Sequence, residues 1–98
     1  MAVEHLVWFK LKDGVTPNEK AAMFAALRAL PKTIDGIEHL EVGEDFSGRS
    51  RGFGVGLIVR FTSREALEVY CPHPDHTAFA EGFKHLWDDV QALDFETT

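Results

Sequence analysis

Two prolines separated by a single residue, Pro72 and Pro74, constrain this chain more than any other feature. Proline cannot be accommodated inside a helix, and the residue that precedes it is driven out of the helical region. We therefore predict that one helix ends at Tyr70. A second helix should begin at Pro74, because the first helical position needs no backbone N–H. His73 is then the capping residue of this second helix.

The predicted second helix directs His76 towards the protein interior. His76 lies in its first turn and shares a stripe with four apolar residues at helical spacing, Phe79, Ala80, Phe83 and Trp87. Tyr70, at the end of the preceding helix, shares a face with Ala66 and Leu67. We therefore expect a phenol and an imidazole to meet inside the protein, on either side of one turn.

Two interpretations of the Tyr70 and His76 pair remain open. The two side chains are structural core residues with satisfied hydrogen bonds, or they are a general base and its hydroxyl partner at the end of an internal pocket. A helix N-terminus disfavours positive charge, so His76 is expected to be neutral near neutral pH and able to accept a proton.

The rest of the chain alternates strands and helices. Val3–Leu11 alternates with period two, which predicts a strand. Thr16 to Glu19 is a capping box with proline at the first helical position, and it predicts a helix that ends near Pro31. Ser63 should cap the helix that ends at Tyr70. Three further strands are predicted over residues 37–44, 53–62 and 90–95.

The segment 45–52 is polar and contains glycine, so it predicts a hairpin loop. Its two arginines, Arg49 and Arg51, are either solvated or part of an anion site. The solvated loop is the simpler interpretation.

The order βαββαβ with right-handed crossovers places the third strand between the first and the second. This order predicts an α+β, ferredoxin-like fold with a four-stranded antiparallel sheet and all helices on one side. On the other side we expect an uncovered apolar face made by Leu6, Trp8, Leu40, Val42 and Ile58. Two sheets packed face to face, about 10 Å apart, would bury such a patch. The sequence therefore predicts a homodimer through this face.

Composition excludes several classes of partner. With 98 residues, 45% hydrophobic and 27% charged, the chain is predicted to be a single globular domain over residues 1–98. Its net charge of −6 argues against nucleic acid and anionic membranes as partners. We find neither an apolar run of membrane-spanning length nor a signal-peptide pattern. The lone Cys71 favours a reducing compartment such as the cytoplasm.

Several motifs make the chain resemble the stress-responsive A/B-barrel (Dabb) domain family over nearly its whole length. They are the opening stretch from His5 to Lys12, Glu41-Val42-Gly43, Phe61-Thr62-Ser63, Tyr70-x-x-His73-Pro74-x-His76 and Leu93-Asp94-Phe95. The resemblance implies a ferredoxin-like subunit whose sheet closes with that of a second subunit into a dimeric α/β barrel. The fold also resembles that of small antibiotic-biosynthesis monooxygenases.

One branch of the family, plant polyketide cyclases of the olivetolic acid cyclase type, resembles this chain at Tyr70, His76 and His5. The resemblance implies that His76 is a base acting on a carbon acid between carbonyls, with Tyr70 orienting it or stabilising the enolate. His5 would act as an orienting residue, and no cofactor is expected. We expect the pocket to bind a small apolar ligand and to be lined by Val7, Phe9, Met23, Phe24, Leu57, Val59, Phe79 and Trp87.

A metal site and a cysteine nucleophile are weaker alternatives. His73 should cap its helix outward while His76 points inward, so the two imidazoles do not converge, and we expect no metal site. Cys71 lies close to His73, but lone cysteines are more often small buried hydrophobes.

Two function classes therefore remain open. One is an enzyme of the cyclase, lyase or monooxygenase-like kind, performing cofactor-free acid–base chemistry on a small carbonyl or aromatic compound. The other is a non-catalytic, stress-responsive or ligand-binding dimer whose histidines are structural.

Overall fold

The computed structural model describes residues 1–97, so Thr98, the last residue of the predicted domain, lies outside the described residues. The strands are β1 (Val3–Leu11), β2 (Ile37–Glu44), β3 (Val55–Phe61) and β4 (Trp87–Glu96). The helices are α1 (Pro17–Ala29), α2 (Arg64–Tyr70) and α3 (Pro74–Phe83), with 3₁₀ turns at Leu30–Lys32 and Lys84–Leu86. Within this described range, none of the helices is long and apolar enough to cross a membrane.

The four strands form one antiparallel sheet in the order β2-β3-β1-β4. β1 is therefore a central strand, hydrogen-bonded to β3 on one side and to β4 on the other. The helices cover one face of the sheet. This arrangement confirms the predicted ferredoxin-like fold and the position of the third strand between the first and the second.

The helix boundaries predicted from capping residues and prolines are confirmed. The capping box is present at the start of α1. α2 ends at Tyr70, and α3 begins at Pro74 after the double-proline turn. The Nδ1 atom of His73 accepts a hydrogen bond from the Asp75 N–H at 3.1 Å, which caps α3. The turn thus brings the end of α2 and the start of α3 together.

The core lies between the sheet and the helices. Alternate residues of β1 and β3 point into it, and α1 and α3 cover them. Its most deeply buried side chains, each at most 1% exposed, include Met23, Val59, Phe61 and Tyr70. Tyr70, at the end of α2, is therefore part of the hydrophobic core.

The predicted orientation of β2 is wrong. Leu40 pairs with Val59 and Val42 pairs with Leu57, so both side chains share the helix-covered face. Val42 is 7% exposed, and Leu40 packs against the core. After the register shift between Ile37 and His39, Leu40 and Val42 alternate with outward-facing residues and are driven into the core. Because side chains alternate with period two, assigning a strand to the wrong face exchanges all of its inward and outward residues.

The uncovered face of the sheet still carries a continuous apolar patch. In the strand register, Leu6 lies between Leu93 and Ile58, with Trp8 two residues further along β1 and Phe95 two residues further along β4. Trp8, Ile58, Leu93 and Phe95 are 37%, 36%, 52% and 47% exposed. We call these five residues the open-face patch. Two residues of β4 thus replace the two wrongly assigned residues of β2.

The last strand begins earlier than predicted, at Trp87 rather than at residue 90, and β3 is shorter than the predicted 53–62. Asp88 and Asp89 are poor strand formers. They enter the sheet because β1 extends to Leu11, which pairs with Trp87 across an irregularity in the register. Trp87 is therefore a strand residue and does not belong to the helical stripe, since α3 ends at Phe83.

Gly36, just before β2, sets the distance between α2 and the sheet. Its φ is +91°, and a Cβ built there would lie 2.7 Å from the Cβ of Ala66. Its carbonyl accepts a hydrogen bond from the Thr62 N–H at 3.0 Å. Ala66 precedes Tyr70 by about one helical turn. The close approach at Gly36 therefore helps to position the tyrosine.

We expect Gly36→Ala to destabilise the protein more than Gly14→Ala. Gly14 has a similar φ of +88°, but nothing lies within 4 Å of a Cβ at that position. Both variants share the backbone strain, and only Gly36→Ala adds a clash with Ala66. The difference in the free energy of unfolding, measured in urea, should be about 1–3 kcal/mol, which is typical of overpacking. Equal losses would contradict the close packing of α2 on Gly36.

Candidate functional site

A cavity of about 230 Å³ lies between the sheet and the facing ends of α2 and α3. Three alternate residues of β1 form its floor: His5, Val7 and Phe9. The double-proline turn and α3 form one wall, and β4 forms the other. The cavity opens along β4, where the helix-facing residues Val90 and Ala92 remain exposed.

The structure brings five of the eight predicted lining residues to this cavity, namely Val7, Phe9, Leu57, Phe79 and Trp87. The other three lie elsewhere. Met23 and Val59 are fully buried in the core. Phe24 borders a separate surface groove beside α1. Sequence analysis missed five lining residues, Leu27, Cys71, Ala80, Val90 and Ala92.

The cavity has a polar end and an apolar end. Since a strand rises about 3.3 Å per residue, His5 and Phe9 lie roughly 13 Å apart along β1. At the apolar end, the ring centroid of Trp87 lies 4.8 Å from that of Phe9 and 6.1 Å from that of Phe79. All three predicted catalytic residues lie at the polar end, so an elongated ligand would have a defined orientation.

The ring of Tyr70 packs against three other rings at the polar end. Its ring centroid lies 4.9 Å from that of Phe61 in an edge contact, 5.9 Å from that of His5 and 4.4 Å from that of His76. Burial raises the pKa of the Tyr70 phenol well above its ordinary value. The phenol therefore stays protonated and can act only as a neutral hydrogen-bonding group.

Tyr70 is one of the residues that line the cavity, although only 1% of its surface is exposed. Its position is set by the contacts with the rings of Phe61, His5 and His76.

His76 is held as a neutral imidazole with one defined tautomer. Its Nδ1 lies 3.0 Å from the Cys71 carbonyl oxygen, which can only accept, so Nδ1 carries the proton and donates it. The Nε2 atom keeps its lone pair. Burial is the main cause that lowers the pKa of His76, and the charges of His5 and His73 lower it further, against the opposing effect of the Cys71 hydrogen bond.

His5 is positioned by Asp94, a residue that the sequence analysis did not single out as functional. The two residues are directly paired across β1 and β4, and the Nδ1 of His5 contacts a carboxylate oxygen of Asp94. His5 is largely buried, whereas the Asp94 side chain is 44% exposed. Only the register between these strands reveals the pair, since they are separated by most of the chain. A carboxylate in this position fixes the orientation of the ring.

Within the described part of the chain, no three His, Cys, Asp or Glu side chains converge as a metal site would require. His73 is occupied as the α3 cap, and His5 is paired with Asp94. Burial, and then the charge of Asp94, raise the pKa of the Cys71 thiol. A raised pKa disfavours the thiolate that a cysteine nucleophile needs.

Residues 3–97 match the family model described as the stress responsive A/B barrel domain. Olivetolic acid cyclase from Cannabis sativa is 29% identical over 97 residues, which cover 97% of this chain and 96% of the cyclase. The stress-response A/B barrel domain-containing protein HS1 from Arabidopsis thaliana is 30% identical, over 98% of this chain and 90% of that protein.

A solved structure with the same fold comes from Bacteroides fragilis, where a dimeric protein of unknown function has a ferredoxin-like fold. It is 28% identical to this chain, with a TM-score of 0.82 over 98% of this chain and 96% of that one.

We expect NMR to find His76 as the Nδ1–H tautomer, with a pKa below the value of about 6.5 for an unperturbed histidine. Long-range ¹H–¹⁵N spectra, with His76→Gln to assign the signals, measure both properties. At a pH between the lowered pKa of His76 in the folded state and its pKa of about 6.5 in the unfolded state, only the unfolded state binds the extra proton. The His76 contribution therefore lowers the free energy of unfolding as the pH falls below about 6.5. An Nε2–H tautomer would contradict the contact with the Cys71 carbonyl.

Proposed function

We propose that this chain, which belongs to the stress-responsive A/B barrel domain family, performs cofactor-free acid–base chemistry on a small carbonyl or aromatic compound. One observation carries the proposal. The His76 Nδ1–H donates to the Cys71 carbonyl, which leaves the Nε2 lone pair free on a ring that lines the cavity and lies 4.4 Å from the Tyr70 ring, centroid to centroid. An imidazole with a fixed tautomer and a lowered pKa has the properties of a general base at neutral pH.

The proposed reaction step is proton abstraction from carbon. The Tyr70 hydroxyl donates a hydrogen bond to the substrate carbonyl, and His76 Nε2 removes a proton from the adjacent carbon. Negative charge then moves onto the carbonyl oxygen, where the neutral phenol stabilises the enolate. His76 returns its proton to the enolate or to a leaving group. His5, held by Asp94, orients the ring of Tyr70 through their edge contact.

The likeness to olivetolic acid cyclase supports this class of chemistry, since that relative is similar over nearly the whole of both chains. The family also contains proteins such as HS1 whose name refers to stress response and to no reaction. A non-catalytic ligand-binding role is therefore the second candidate. It is favoured by the tight packing of Tyr70, which is 1% exposed and contacts three rings.

Proton exchange provides the test of catalysis. We expect the protein to accelerate the exchange of the benzylic protons of phenylacetone in D₂O, followed by ¹H NMR. His76→Gln should reduce the protein-catalysed rate by roughly 10²–10⁴-fold, the usual contribution of a general base. Tyr70→Phe removes only the hydroxyl and should reduce the rate less. His85→Gln, at an exposed histidine outside the cavity, serves as the matched control.

The two candidate functions predict opposite patterns in this variant set. For a structural histidine, His76→Gln breaks the hydrogen bond to the Cys71 carbonyl and the ring contact with Tyr70, which lowers stability by about 0.5–1.5 kcal/mol or more, with no exchange activity to lose. For a general base, the thermal melt changes little while the exchange rate falls. A lower melting temperature for His76→Gln, together with a wild-type rate equal to buffer, would refute catalysis on this substrate class and favour the structural interpretation.

We further propose that the protein is a homodimer joined through the open-face patch. Four large apolar side chains of this patch are more than a third exposed, which is unfavourable for a monomer. Next to Trp8, Gly43 pairs with Gly56, and a groove of about 550 Å³ lies over them. A side chain from a second copy can fill this groove. The similar Bacteroides fragilis protein is dimeric, which supports the proposal.

We expect sedimentation at micromolar concentration to give about twice the chain mass of 11.0 kDa. Trp8→Glu should weaken association, because it places a charge in a desolvated interface. Val69→Glu is the control, since Val69 is 58% exposed on α2, on the opposite side of the sheet. A wild-type monomer, or equal weakening by both variants, would contradict this interface.

A further inference from the structure

The size of the cavity limits its ligand. A dry apolar cavity of about 150 Å³ is large enough to bind benzene. At about 230 Å³, the cavity therefore accommodates one aromatic ring with a short substituent. The flat side chains of Phe9, Phe79 and Trp87 at the apolar end suit such a ring, because aromatic pairs stack or meet edge to face.

The charge of the cavity limits its ligand further. Of the described residues that line it, none is a lysine or an arginine. Among the lining residues that the structure describes, the basic side chains are two imidazoles, those of His5 and His76. His76 is neutral for the reasons given above, and any positive charge on His5 is already paired with the Asp94 carboxylate.

With the Asp94 carboxylate as its partner, His5 offers an incoming anion no net positive charge. Asp94 lies beside the polar end with its side chain 44% exposed, and its charge is felt at the cavity-lining Cys71, whose pKa it helps to raise. The whole chain carries a net charge of −6. A buried anion without a partner loses its hydration and gains no counter-charge, which is strongly unfavourable.

We propose that the site selects neutral, single-ring carbonyl compounds and rejects carboxylates of the same size. The absence of a lysine or an arginine among the described lining residues makes it a charge filter. This inference rests on the proposed function, because it names the substrate class of the same site. The proposed filter excludes ligands that would have to place an ionised acidic group at the polar end of the cavity.

Acetophenone and benzoate provide a matched pair of probes, since they share a ring and have the same number of non-hydrogen atoms. We expect acetophenone to shift ¹H–¹⁵N signals around His5 and Tyr70 at neutral pH. Benzoate should bind at least about tenfold more weakly than acetophenone, because its charge would be unpaired in the cavity.

Ala92→Lys should reverse the rejection. Ala92 is exposed, lines the cavity and pairs with Val7, two residues from His5 along β1, so a lysine there can keep its stem on the wall and present its ammonium group to a carboxylate bound near the polar end. We expect benzoate to bind this variant about tenfold or more tightly than it binds the wild type, a gain that a charge-assisted hydrogen bond can supply. Val69→Lys adds the same charge on α2, outside the cavity, and should leave benzoate binding unchanged.

The outcomes separate the charge filter from the site itself. Benzoate that binds the wild type as tightly as acetophenone does would overturn the filter and leave the binding site intact. Equal gains in Ala92→Lys and Val69→Lys would also overturn it, since the effect would then be one of overall charge. If neither probe binds the wild type near His5 and Tyr70, the proposed site fails and the filter fails with it.

Discussion

The pairing of β1 with strands on both of its sides is the constraint on which the rest of the structure depends. Because β1 is fixed by two ladders, its alternation cannot slip by one residue without exchanging both faces of the protein. Odd-numbered residues such as His5 and Phe9 point into the cavity, and even-numbered residues such as Leu6 and Trp8 point to the open face. One strand therefore supplies the floor of the candidate site and the centre of the proposed interface.

Burial and hydrogen bonding act together on the polar end of the cavity. Desolvation is the main cause that lowers the pKa of His76 and raises that of Tyr70, which prepares one group to accept a proton and the other to donate a hydrogen bond. The Cys71 carbonyl then selects the tautomer of His76. This carbonyl is positioned by the turn between α2 and α3, so the two prolines of that turn determine which nitrogen of the imidazole is basic.

Local signals made most of the fold predictable from the sequence. The capping residues and prolines act within a few residues, so the limits of α2 and α3 follow from chemistry that is visible in the chain. Features that depend on pairing between distant segments were harder to predict from the sequence. The face of β2, the early start of β4 at Trp87 and the contact of His5 with Asp94 all follow from register, which no local pattern specifies. Met23 and Val59 were predicted to line the pocket and are instead buried in the core. Periodicity predicts that a residue points inward, but it does not distinguish a core position from a cavity wall.

The sheet also separates the two tryptophans of the chain, with consequences for optical spectroscopy. Trp8 is 37% exposed on the open face, whereas Trp87 stacks on aromatic rings in the cavity wall. The indole of Trp8 therefore reports on water at the open face, and that of Trp87 reports on ring contacts inside the cavity. The protein thus carries two intrinsic fluorophores that respond to different events. Replacing either one by phenylalanine leaves a label-free signal for solvent access to the open face alone or for changes in the cavity alone.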